Sequence, residues 1–222
     1  MLFSNKSILV VATHQDDESL YFGGLLSTIK NTNKILINSV TEPKKNRKDT
    51  HTRIESFKNV CKLLTCEYVL SNFQDLGETF NINSNKKMRN EIKDSIIKIV
   101  LERKIDIVIT HNIDGNPNRG YNTGHSMHKL VSHSVHDAIY DLLINHNKKT
   151  ELYVDGVGIK NKNFKDYNVN FEINDKKKLL DCYLPNWTPS SYSWWKNPEK
   201  FYKIEHHPEN IQLFKNTQIP VI

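Results

Sequence analysis

The chain has 222 residues, 37% of them hydrophobic, and a formal net charge of +6. That length suits one domain with a sizeable core rather than two, and no apolar run reaches the roughly 20 residues that a bilayer-spanning helix needs. The lysines are spread out, and the densest basic runs (Lys44-Lys45-Asn46-Arg47-Lys48 and Lys176-Lys177-Lys178) lack interleaved aromatics. The charge therefore argues against a specific nucleic-acid partner, and a basic rim facing an anionic substrate explains it better.

Met1 to Lys6 lead straight into the first apolar run without a signal-peptide pattern, so a soluble cytoplasmic protein is expected. Cys61, Cys66 and Cys182 are an odd count without CxxC spacing, which points to reduced thiols rather than a thiolate metal site. Residues 8–11 read as a buried strand, 12–18 as a loop and the following apolar-plus-glycine segment as a helix. A strand at 34–40, a polar loop at 41–49 and an amphipathic helix at 50–64 follow, with Ile54, Phe57, Val60, Cys61 and Leu64 recurring at threes and fours.

A strand at 67–70 and a turn-rich loop at 74–79 come next, then a helix at 86–104 with Ile92, Ile96, Ile99 and Val100 on one stripe. The clearest later strand is 105–111. A loop of turn formers at 112–123, a long helix at 125–145 and a strand at 152–157 complete the alternating part. This alternation predicts an α/β fold, a Rossmann-like three-layer sandwich with a mostly parallel central sheet. From about 161 the pattern weakens into an expected C-terminal cap, with strand-like alternation at 169–173, a short helix at 175–183 and an aromatic tract through Trp194, Trp195, Phe201 and Tyr202. No linker separates the cap, so residues 1–222 are expected to form a single domain.

Chemistry-bearing residues gather where strands feed helices. His14, Asp16 and Asp17 stand at the mouth of the first strand, and His125 and His128 open the long helix, three apart and so on one face. Both places lie at carboxyl ends of strands, where open α/β sheets bind ligands. Hydrolytic zinc sites use three nitrogen or oxygen ligands and keep one position for water. His14, Asp17 and His128 would meet that need, with Asp16 and His125 ionisable beside them. The competing local reading is an acidic turn capping a helix. His111, at a strand end near the same mouth, stays open. His51, His133, His136, His146, His206 and His207 are read as ordinary.

With both segments in view, the chain resembles the PIG-L/LmbE family of zinc-dependent de-N-acetylases. Ala12-Thr13-His14-Gln15-Asp16-Asp17-Glu18, trailed by Gly23-Gly24, stands where the family has (A/P)HPDDE, and Gly124-His125-Ser126-Met127-His128 matches its GHxxH. Arg53-Ile54-Glu55 and Asp75-Leu76-Gly77 are lesser echoes, and the resemblance covers roughly residues 6–160. It implies His14, Asp17 and His128 as ligands of zinc, or of iron(II), which suits the same set. It implies Asp16 as general base and a protonated His125 as the donor that stabilises the oxyanion or protonates the leaving amine.

The substrate implied is an N-acetylglucosamine-type sugar or glycoconjugate, cut to free amine and acetate, and a homo-oligomer is compatible with the sequence. Two departures stand out: Gln15 where relatives carry Pro, and Thr123 where many carry an aromatic, for which Tyr121 is the candidate substitute. Arg53, Asn112, Arg119 and Tyr121 are candidate substrate contacts, and Trp194 and Trp195 pack as part of the cap or stack on sugar rings. The readings set against a hydrolase are a sugar- or nucleotide-binding module on the same fold, weakened by the lack of GxGxxG in the first turn, and a related scaffold that has lost catalysis.

Overall fold

The computed structural model describes residues 3–42, 50–115, 124–156, 166–184 and 198–204. Seven strands form one sheet in the order β3-β2-β1-β4-β5-β7-β6. They are β1 (Ser7–Ala12), β2 (Lys34–Thr41), β3 (Glu67–Phe73), β4 (Ile107–Thr110), β5 (Glu151–Asp155), β6 (Asp166–Val169) and β7 (Glu199–Ile204). The helices are α1 (Asp17–Ile29), α2 (Thr50–Leu64), α3 (Lys86–Glu102), α4 (Ser126–Asn145) and α5 (Ile173–Asp181). The first five strands in the chain pair in parallel, and β7 runs antiparallel between β5 and β6, so the sheet is mixed but mostly parallel.

The apolar strands follow from burial on both faces. Alternate residues of β1 enter different cores: Ile8 and Val10 join residues of α1, α2 and α5, whereas Leu9 and Val11 join residues of α3 and α4. The helix stripes behave as their spacing requires, with Phe57, Val60, Cys61 and Leu64 of α2 buried on one side of the sheet and Ile92, Ile96 and Val100 of α3 on the other. No described helix is long and apolar enough to cross a membrane.

The C-terminal part departs from expectation. Val169 and Phe171 do alternate inward, but β6 ends at Val169 and Ile173, 52% exposed, opens α5. Residues 199–204, expected only as part of an aromatic tract, form β7, with Phe201 in one core and Tyr202 and Ile204 in the other. Lys176, part of a basic run, is buried and ion-paired with Glu199 at 2.5 Å. The pair enters α1: Glu199 accepts the N–H groups of Gly24 and Leu25 at 2.9 and 2.8 Å, and Lys176 Nζ donates to the Leu20 carbonyl at 2.9 Å. A regular helix would join the Gly24 N–H to that same carbonyl. Gly24 is needed there for space, since a Cβ would lie 2.3 Å from the Phe171 ring.

The topology decides where a ligand would sit. The chain leaves β1 for β2 and β3 on one side and takes up β4 and β5 on the other. That reversal puts the carboxyl ends of β1 and β4 at the usual ligand position in such sheets.

Candidate metal centre

The loop leaving β1 is tightly specified. The His14 N–H donates to Asp17 Oδ2 at 2.8 Å, and Gln15, 2% exposed, donates through Nε2 to Ser39 Oγ at 2.9 Å and to the Thr41 carbonyl at 2.8 Å. Gln15 thus ties the loop to the end of β2 by hydrogen bonds where relatives were expected to use the stiffness of Pro. Asp16 sits at the N-cap of α1 with φ of 123°, a backbone region that L side chains rarely adopt. Its N–H donates to Glu18 Oε2 at 3.0 Å, and its carbonyl accepts from Ser19 and Leu20 at 3.0 and 2.9 Å. The Asp16 side chain makes no capping hydrogen bond, so helix capping does not explain this acid. It is ion-paired with Arg53 of α2.

The second half arrives from β4 and α4. Gly124, at φ of 75°, brings the chain so close to residue 114 that a Cβ would lie 1.9 Å from the Asp114 carbonyl oxygen. His125 follows as the N-cap of α4: its N–H donates to the Gly115 carbonyl at 2.8 Å, and its Nδ1 accepts the Met127 N–H at 3.2 Å. That bond puts the proton of a neutral His125 on Nε2. Gly124→Ala is expected to displace His125 and to lower both thermal midpoint and initial rate.

The two halves converge. His128 Nε2 lies 3.2 Å from His14 Nδ1, and Asp17 Oδ2 is 3.3 Å from each of them. The centre of such a triangle is about 1.9 Å from each corner, near the roughly 2.0–2.2 Å that zinc keeps to nitrogen and oxygen. Three lone-pair atoms this close need a positive charge between them, a proton or a metal ion, so the donor set fits a cation. Further donors crowd round: a ring nitrogen of His125 falls within 4.8 Å of those of His14 and His128, and one of His111 likewise with Asp17 and His128.

His111, His128 and His125 form a stack of rings, with centroids 4.2 Å apart for the first pair and 4.5 Å for the second. His111 is fully buried, with Nε2 3.3 Å from Asp17 Oδ2 and Nδ1 3.7 Å from Asp155 Oδ2.

Charge in the site is set by competition between burial and neighbours. Burial opposes the cationic form of His14, but the carboxylates of Asp17 and Asp75, facing its two ring nitrogens, outweigh it and raise the pKa to about 9. A metal must therefore displace a proton there. Asp17 is also buried, yet the facing His128 and His111 hold it well below the usual carboxylate range. Burial pushes Glu18 up to about 7, against hydrogen bonds from Ser19 and Tyr183. For His125, burial and then the neighbouring His128 and His14 lower the pKa to about 3. Burial thus disfavours the protonated form expected of His125, and with Nδ1 accepting from Met127 a neutral ring would carry its proton on Nε2.

The remaining expected contacts divide. Arg53 lies against Asp16. Asn112 is buried and shapes its own loop, its Oδ1 accepting the Asp114 N–H at 2.7 Å and its N–H donating to Asp155 Oδ2 at 3.1 Å. Tyr121, Arg119, Thr123, Trp194 and Trp195 lie outside the described residues.

Five residues were given no role from the sequence. His111 meets Asp17, Asp155 faces His111, Asp75 faces His14, and Glu18 accepts the Tyr183 hydroxyl at 2.8 Å and supports the backbone of Asp16. A signal existed for Asp155, an acid ending an apolar strand at the same sheet mouth, whereas Tyr183 carried none.

The PIG-L family model, GlcNAc-PI de-N-acetylase, matches residues 9–139. No curated protein sequence matches the chain. Among solved structures, the zinc-inhibited form of teicoplanin deacetylase Orf2 aligns with a TM-score of 0.68 at 12% identity, covering 91% of this chain and 99% of that one. The N,N'-diacetylchitobiose deacetylase of Pyrococcus horikoshii aligns at 0.62 and 12% identity, covering 90% and 84%. GalB, the 4-carboxy-2-hydroxymuconate hydratase of Pseudomonas putida KT2440, aligns at 0.63 and 12% identity, covering 91% and 97%. At such identities the alignments establish a shared fold, and the hydratase among them shows that the fold alone does not choose a reaction. The family match spans more than half of the chain and contains both converging segments, and this protein belongs to the PIG-L (GlcNAc-PI de-N-acetylase) family.

Proposed function

We propose that the protein is a metal-dependent de-N-acetylase, zinc being the first candidate and iron(II) the second, that hydrolyses the acetamide of an N-acetylglucosamine-type sugar or glycoconjugate. The observation carrying this reading is the triangle of His14 Nδ1, Asp17 Oδ2 and His128 Nε2, with His125 beside it and Asp16 next to Asp17 in the chain. The whole chain would act as one domain on a Rossmann-like three-layer scaffold, the C-terminal segment forming a cap.

In this reading His14, Asp17 and His128 hold the metal, which supplies an acidified water and a Lewis acid for the acetyl carbonyl. Asp16, oriented by Arg53 and by its own strained backbone, accepts the proton of the attacking water and returns it to the amine nitrogen as the C–N bond breaks. His125 offers its Nε2–H to the oxygen that gains charge as the amide is attacked, and being neutral it does so without a proton from solvent. Asn112 and Arg53 build the walls, and Tyr121 is kept as a substrate contact.

Metal content comes first. Purified wild type is expected to hold about one equivalent of zinc or iron and to release acetate from a panel of N-acetylated sugars, whereas His14→Ala holds none and releases none. Zinc is supplied at one equivalent only, since a structural neighbour is known in a zinc-inhibited form. A wild type that stays empty when zinc is added overturns the proposal and favours a binding module.

A further inference from the structure

We infer that Asp75 is a positioning residue for His14: its carboxylate holds the ring in the tautomer and orientation that turn Nδ1 into the donor triangle. The inference rests on the metal-site reading above. His14 presents its two nitrogens to different surroundings, Nδ1 to Asp17 and His128 and Nε2 to Asp75 Oδ1 at 3.6 Å. A neutral imidazole carries one N–H, and a carboxylate beside Nε2 favours the proton there, which leaves the Nδ1 lone pair free for a cation. Carboxylates that accept the second N–H of a ligating histidine fix the ring and raise its basicity.

Asp75 is built for such a task. Its side chain is 11% exposed, and the Gly77 N–H donates to its Oδ1 at 2.8 Å, an Asx turn that holds the carboxylate in place. The loop carrying it follows β3, so its position comes from a strand separate from both motif segments. Its negative charge is also felt by Arg53, whose guanidinium pairs with Asp16. One carboxylate thereby lies beside the first metal-site histidine and near the partner of the candidate base.

The test compares wild type, Asp75→Asn and Asp75→Ala by zinc affinity from chelator competition and by nitrogen-15 NMR of the histidine rings. Asn keeps an oxygen for the Gly77 N–H, so the loop persists and this variant carries the test if Asp75→Ala does not fold. The zinc dissociation constant is expected to rise by about 10–100-fold in Asp75→Ala and by the lower end of that range in Asp75→Asn. The Nε2–H signal of His14 should exchange faster with water in both. Wild-type affinity with an unchanged His14 spectrum in both variants overturns the inference and leaves the metal site standing. A wild type that does not bind zinc overturns the metal-site reading and this inference together.

Discussion

Asp16→Asn is expected to remain folded and metal-loaded while turnover falls by about 10²–10⁴-fold, the contribution of a positioned general base. The substitution preserves shape while removing the ability to accept a proton and the charge that pairs with Arg53. It is also compatible with the backbone: Asp16 sits at φ of 123°, and Asn is among the few side chains that tolerate positive φ. Strain of this kind costs about 1–3 kcal/mol and persists where the surroundings over-determine it. Here the Glu18 carboxylate holds the Asp16 N–H, and the first turn of α1 holds its carbonyl. His128→Ala is the contrasting variant, expected to lose metal and turnover together because it removes a corner of the triangle. Metal content and initial rate measured on both separate the two roles. Undiminished turnover in Asp16→Asn removes the assignment of the base.

The largest effect on stability is expected from the Lys176–Glu199 pair. Both groups are buried, and Glu199 also accepts two backbone N–H groups inside α1. Breaking a buried pair by removing one partner leaves an uncompensated charge, at a cost of about 3–5 kcal/mol. In Glu199→Leu the Gly24 and Leu25 N–H groups lose their acceptor as well. Thermal midpoints of Glu199→Leu and Lys176→Met are expected to fall by roughly 10 °C, at about 2–4 °C per kcal/mol for a chain of this size. The double variant Lys176→Met/Glu199→Gln buries no charge and keeps an amide oxygen for one of the two N–H groups, leaving the other without an acceptor, so it should recover part of the loss. Single variants that melt with wild type would show that the packing of α5 and β7 against α1 does not depend on this pair.

Several features were legible from local pattern. The strand residues of β1, β2 and β4 are short apolar runs because they are buried on both faces, and the stripes of α2 and α3 follow from one face each meeting the sheet. His14, Asp17, His125 and His128 were legible because strand-to-helix junctions are local and motif spacing records them. Parallel pairing then brings the two junctions together, with Val11 opposite Thr110 in neighbouring strands.

Tertiary structure alone decided the rest, since the partners are far apart in sequence. Glu199 meets α1 at Gly24 across 175 positions, and Tyr183 meets Glu18 across 165. No periodicity connects residues at such separation. Lys176 therefore read as surface charge, and 199–204 as an aromatic tract rather than a strand. The same holds at the site. The sequence determined which side chains could bind a cation, because donor chemistry belongs to the residue. Packing decided that burial disfavours charge on His125, that Asp16 lies against Arg53 and that Asp75 faces His14, because burial and neighbouring charge exist only once the chain has folded.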